Sequence, residues 1–257
     1  MHFRIGPVAW HSTCCVKRMN TRPIVRFISG AAALSATSYA AYAGATWLRY
    51  GHVRAAKREE LDPLLDQFMP YCDVVERHSV SIRAPADVAL SVAGQLDFEE
   101  SPIVRALINV REFLLGSNPP AQVLPAGLLE KTKALGWGVL SEIPGREIVM
   151  GAATQPWQAN VVFRSFEPWR FAAFDDPEFV KIAWTLRADP VTETTCIFRT
   201  ETRVVACGPA ARAKFRRYWA FLSPGIIVIR MALLGPLKRK AERRAREFRA
   251  VPAANPA

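Results

Sequence analysis

The stretch Thr-Cys-Ile-Phe-Arg-Thr-Glu-Thr-Arg-Val-Val-Ala, residues 195–206, alternates in a way that could either do chemistry or line a container. In an extended chain successive side chains face opposite ways. Arg199, Glu201 and Arg203 therefore form one row with Thr195, Ile197 and Val205. Cys196, Phe198, Thr200, Thr202, Val204 and Ala206 form the other. An inward Arg-Glu-Arg row would bury three charges and demand tight pairing. The second row sets two hydroxyls among apolar neighbours, the mixture found in ligand pockets. That row is the expected cavity wall. The Arg-Glu-Arg row is expected to be solvated, with cross-strand pairs worth about a few tenths of a kcal/mol each.

A second period-two run places Glu76, His78, Val80, Ile82 and Ala84 on one face, with Arg77, Ser79, Ser81 and Arg83 on the other. His78 at a cavity mouth could act as a general acid or base near neutral pH. The plainer alternative is one hydrogen-bonded histidine at a sheet margin. Arg111, Glu112, Glu142, Asp175 and Asp176 read as solvated. Ile182, Trp184 and Leu186 alternate with Lys181, Thr185 and Arg187, and the tryptophans 137, 157, 169, 184 and 219 suit either an apolar pocket or an aromatic core. Candidate ligand-contacting residues are thus Val80, Ile82, Ile182, Trp184, Phe198, Thr200, Thr202, Val204 and Trp219. The chain has no GxSxG, no Cys/His pairing and no phosphate-cradling glycine loop. None of its four histidines sits in a metal-ligand pair, so neither metal nor cofactor is expected. The five cysteines, 14, 15, 72, 196 and 207, contain no CxxC, and Cys196 and Cys207 lie too far apart along one strand to bond. Reduced thiols are expected.

These side chains need elements to hold them. Residues 58–78 read as a short amphipathic helix or linker broken at Pro63 and Pro70, leading into a strand over 74–84. A helix follows from Pro85 to Gly94, and a second over 101–116 has Ser101 as cap, Pro102 in first position and Gly116 as stop. After a Pro-rich loop, 136–154 reads as a hairpin around Pro144-Gly145. Strand-like runs follow at 159–167, 178–188 and 193–207. Pro209 then opens a long helix, with a kink expected at Ser223-Pro224-Gly225.

The net charge of +11 is unevenly placed. Residues 1–60 carry +7, 238–249 carry +5, and 61–237 carry −1. Basic ends around a near-neutral body suit an anionic membrane surface, and no nucleic-acid-binding signature accompanies them. Residues 27–48 are 22 residues without a charge, long enough to span a bilayer, with Tyr39, Tyr42, Trp47 and Tyr50 as an interfacial belt. Eight Ala and seven Gly, Ser or Thr make the segment only mildly apolar. It is read as an uncleaved single-pass anchor. The alternative is a signal peptide cleaved after Ala41-Tyr42-Ala43, giving a secreted protein. Five basic residues precede the span and four follow it; from an alternative start at Met19 only two precede it, which favours a cytoplasmic domain.

An antiparallel sheet with one apolar face needs a cover, and the closing helix is long enough to supply it. The residues His-Ser-Val-Ser-Ile-Arg-Ala-Pro-Ala-Asp (78–87), a strand running through Ala-Pro into a helix, and Thr-Glu-Thr-Arg-Val (200–204), leading to the Pro-started helix, resemble the START-like (SRPBCC) superfamily. That superfamily includes polyketide cyclases/aromatases and lipid-transfer domains. The resemblance covers about residues 73–247 and implies an α+β helix-grip fold, a curved antiparallel sheet wrapped around a long C-terminal helix. The expected organisation is a basic segment (1–26), a membrane helix (27–48), a juxtamembrane linker (49–72), the START-like domain (73–247) and a disordered tail (248–257). The resemblance also implies a hydrophobic small molecule or lipid as ligand. The expected function is membrane-anchored binding of it, with a cyclase/dehydratase-type enzyme as the alternative. No oligomeric state is implied.

Overall fold

The computed structural model describes residues 22–97, 101–117 and 124–250. Cys14, Cys15, the alternative start at Met19 and residues 251–257 of the expected tail lie outside the described residues. The chain divides into two units, Met1–Tyr42 and Ala43–Ala257. The described part of the first is helix α1 (Arg22–Arg49), which runs on into the second and is exposed at every residue from Leu34 to Tyr42. Among the described residues one helix is long and apolar enough to cross a membrane, and it is the C-terminal Pro209–Ala250 rather than α1. Ala, Gly, Ser and Thr dilute the apolar content of α1 below what its length would allow.

The described residues of the second unit form six antiparallel strands: β1 (Val74–Ile82), β2 (Gly138–Ile143), β3 (Glu147–Thr154), β4 (Phe163–Arg164), β5 (Val180–Thr192) and β6 (Thr195–Ala206). The sheet runs β1-β6-β5-β3-β2, with β4 paired to β3. Of the expected strand at 159–167 only Phe163 and Arg164 pair. Gly145, at φ +70°, makes the β2–β3 turn where the Pro-Gly pair predicts it. Gly136, at φ +99°, has no room for a side chain: a Cβ would sit 2.4 Å from the Phe163 carbonyl oxygen.

Between β1 and β2 lie α3 (Ala86–Gly94), α4 (Pro102–Leu115) and α5 (Leu128–Ala134). In α4 the Ser101 hydroxyl accepts from the Val104 N–H, and Gly116 ends the helix in the left-handed region. Helix α5 falls where the sequence reads as loop, as does α6 (Pro168–Ala173). Both are at most seven residues long, too short to show a helical period. The long helix α7 (Pro209–Ala250) runs through Pro224 and Pro236 as one element.

One face of the sheet corrects the solvated reading of the Arg-Glu-Arg row. Arg199, Glu201 and Arg203 do point away from α7, but Glu201 and Arg203 are each only 5% exposed. The cover is the segment expected to be a linker, where Leu65 of α2 (Pro63–Asp66) and Met69 just after it pack with Val149, Ala183 and Phe171 of α6. Glu201 accepts from Arg77 Nε at 2.8 Å and from Arg203 Nε at 2.7 Å. Arg203 Nη1 donates to Asp66 Oδ1 at 2.5 Å and to the Met69 carbonyl at 2.7 Å. Arg199 donates to Asp189 at 3.0 Å. The charges are buried because they are paired. Nearby, Glu147 is buried against Asp62, whose carboxylate caps α2 through the Leu65 N–H. Burial and then the Asp62 charge push Glu147 up to about 8.

Asp73 joins the elements at one end of the sheet. It accepts from the Ala206 N–H at 2.9 Å, Arg212 at 2.6 Å and the Tyr50 hydroxyl at 3.3 Å. This ties the start of β1, the end of β6 and the first turn of α7 together.

Candidate functional site

The opposite face of the sheet meets α7. By register Val204, Thr202, Thr200, Phe198 and Cys196 stand opposite Val74, Glu76, His78, Val80 and Ile82 of β1, and Trp184 and Ile182 of β5 stand opposite Thr202 and Val204. Helix α7 packs onto this face near both ends: Phe215 and Trp219 join Val74, Val180 and Val204, while Leu237, Ala241 and Ala245 join Ile82, Ala89 and Val92. Between these contacts the helix stands off the sheet. A cavity of about 460 Å³ remains there, within the size range of small-molecule sites. An antiparallel sheet closed by one long C-terminal helix, with a cavity between them, is a helix-grip arrangement, as the sequence leads one to expect.

No family model matches the sequence, and no curated protein matches it. Among solved structures, a norcoclaurine synthase point mutant from Thalictrum flavum is 13% identical, covering 66% of this chain and 95% of its own at a TM-score of 0.30. An aromatase/cyclase from a Streptomyces species is 15% identical, covering 66% and 94% at 0.23. A START superfamily protein from Mycobacterium smegmatis is 10% identical, covering 68% and 98% at 0.25. At these TM-scores the likenesses carry no argument, and the helix-grip description rests on the sheet order and the gripping helix.

The sheet wall of the helix-grip cavity is Ile182, Trp184 and Leu186 from β5 with Phe198, Thr200, Thr202 and Val204 from β6. The helix wall is Tyr218, Trp219, Ile226, Ile229, Arg230, Leu233, Leu234 and Leu237. Leu128 and Thr132 of α5, Trp137, Phe163 and Arg111 of α4 also line it. Trp137 meets Trp184 edge-on, with ring centroids 6.2 Å apart, and Phe163 at 4.9 Å. Seven of the nine residues expected from sequence lie in this lining. Val80 and Ile82 do not: the last turns of α7 and helix α3 close over that end of β1, leaving Ile82 fully buried in a packed cluster. Trp169, on α6, is exposed on the other side of the sheet from the cavity helix.

Among the described residues, two buried polar atoms of these strands have no hydrogen-bond partner, Thr202 Oγ1 and His78 Nε2. The His78 Nε2 lies 3.7 Å from Glu76 Oε2. Burial first, and the Arg230 charge second, push the His78 pKa down, so it is held neutral. Burial pushes Glu76 up, opposed by Arg230. Burial draws Arg230 down to about 10, still protonated at neutral pH. Cys72, Cys196 and Cys207 are free thiols, each pushed up chiefly by burial. Among the described residues no cluster of His, Cys, Asp or Glu could hold a metal ion.

Sequence reasoning named only Trp219 on the helix wall. The missed signal is a stripe: Ile226, Ile229, Arg230, Leu233, Leu234 and Leu237 recur at three- and four-residue spacing, so they share one face of a helix. Arg230 is the charge in that stripe.

Proposed function

We propose that this protein holds a hydrophobic small molecule or lipid between its sheet and α7, at a membrane to which α1 anchors it. The observation that carries the reading is the cavity lining. It is aliphatic and aromatic, with a few hydroxyls, and its two charged residues are arginines, Arg111 and Arg230. Arginine stays protonated and cannot shuttle protons. Carriage is therefore favoured over chemistry. The cyclase-type alternative draws on Glu76 and His78, which stand together at the β1 edge of the same face.

The membrane setting is supported by apolar surface beside the cavity. Val110, Phe113 and Leu114 of α4 and Val228 and Met231 of α7 are exposed, and α4 packs beside α7. The high hydropathy of α7 has a local cause, since one stripe lines the cavity while Val228 and Met231 face outward. The basic tail offers less free charge than its sequence suggests. Lys238 donates to the Ser81 carbonyl at 2.8 Å and Arg244 to Gln95 at 3.0 Å, whereas Arg239, Arg243 and Arg246 are exposed.

Two experiments test the reading. Thr202→Trp directs an indole into the cavity, so the full-length protein should keep its melting temperature and bind an apolar fluorescent dye at least about tenfold more weakly. A loss of about 1–3 kcal/mol in stability with dye binding unchanged would mean a packed core instead of a cavity. Glu142→Trp, on the exposed hairpin, should change neither property. For the anchor, full-length protein should remain in the membrane pellet after an alkaline wash. Release into the supernatant, or a mature chain beginning at Gly44, would remove the anchor from the proposal and leave the cavity standing.

A further inference from the structure

Arg230 projects from the apolar stripe of α7 into the cavity, yet makes no hydrogen bond or ion pair among the described residues. The buried and half-buried arginines of the sheet, by contrast, have partners: Arg77 and Arg203 share Glu201, and Arg187 and Arg199 share Asp189. Glu76 is the carboxylate whose field reaches Arg230, but it lies beyond the 4.0 Å of an ion pair. Arg230 is half-buried, and its guanidinium carries five donors in a planar fork that an apolar chamber leaves without an acceptor. The orphaned Thr202 Oγ1 is on the facing sheet wall, and Glu76 is its cross-strand neighbour. Arg230 and Thr202 therefore line one apolar chamber from opposite walls, the guanidinium without an acceptor and the buried hydroxyl without a partner.

We infer that the ligand is an amphiphile with an anionic oxyacid head, the head bound by the Arg230 guanidinium and the Thr202 hydroxyl and the apolar body lying against Trp184, Phe198 and Leu233. The inference rests on the container reading and deepens it. A carboxylate or a phosphate matches the guanidinium fork with two parallel N–H···O bonds, and the hydroxyl donates to a remaining lone pair. An uncharged alcohol head would leave most of the fork unsatisfied.

The test is photoaffinity labelling of the full-length protein in membranes with diazirine-bearing palmitate or diazirine-bearing hexadecanol, competed by palmitate, hexadecyl phosphate or hexadecanol. In the wild type an anionic competitor should act at about 10–100-fold lower concentration than the alcohol, the worth of a charge-assisted pair. The more potent of the carboxylate and the phosphate identifies the head. Arg230→Gln should abolish that preference by weakening the acids while the alcohol probe still labels. Arg230→Lys should restore part of it. Thr202→Val, which keeps Arg230 in place, should reduce the preference about fivefold. Equal competition by acid and alcohol in the wild type, or a preference unchanged in Arg230→Gln, would overturn the inference while leaving the container intact. Failure of both probes to label would overturn both.

Discussion

Glu201→Ala is expected to destabilise the domain by about 3–5 kcal/mol, the cost of leaving buried charge without its partner. Glu201 is the hub of the face turned away from the cavity, holding Arg77 at 2.8 Å and Arg203 at 2.7 Å with one oxygen each. Without the carboxylate, two guanidinium groups stay in a layer sealed by Leu65, Met69 and Phe171. Arg203 keeps Asp66 and the Met69 carbonyl, whereas Arg77 keeps only the Arg54 carbonyl at 3.2 Å. Arg77 is thus the more exposed to the loss. Urea denaturation reads the change directly, and the Asp66-bearing segment should become sensitive to proteolysis at lower denaturant. Glu201→Leu combined with Arg77→Met should recover much of the stability, because removing charge and countercharge together also removes the desolvation cost. A loss below about 1 kcal/mol in the single variant would mean that these pairs behave as solvated surface salt bridges.

The second large effect is on pH. Glu147 is pushed up to about 8 by burial and by Asp62, so the folded protein holds a proton there that the unfolded chain, with a carboxyl near 4.3, has already released. A group raised in this way contributes stability that is present at low pH and is lost as pH rises through the folded value. Between about pH 6.5 and pH 8 the domain should lose about 2 kcal/mol, and Glu147→Gln should flatten that loss. The glutamine amide donates to Asp62 as the protonated acid does, so this variant should be the more stable protein at pH 8. His78, pushed down, gives the opposite slope, but only below its ordinary value near 6.5. The raised thiols of Cys72, Cys196 and Cys207 begin to cost stability only above about 8.5, where unfolded thiols ionise. Parallel pH profiles for wild type and Glu147→Gln would rule out Glu147 as the source.

Much of this protein is written in short-range pattern. The period-two alternation of β1, β5 and β6 determines by itself which side chains share a face, and Ser101-Pro102, Gly116 and Pro144-Gly145 mark where elements begin, end or turn. The three- and four-residue spacing that gathers Ile226, Arg230 and Leu237 on one side of a helix is equally local. Alternation states which residues stand together but not what stands over them. The Arg-Glu-Arg row is buried because Asp66 and Met69, more than 130 residues earlier, fold across it. Val80 and Ile82 share their face with the cavity residues of β6, yet the end of α7 seats on that part of the sheet and excludes them from the chamber. Arg230 is visible as a charge in an apolar stripe, but whether an acid answers it depends on what the facing strand brings near. Cover, closure and pairing are long-range contacts, and only the tertiary structure decides them.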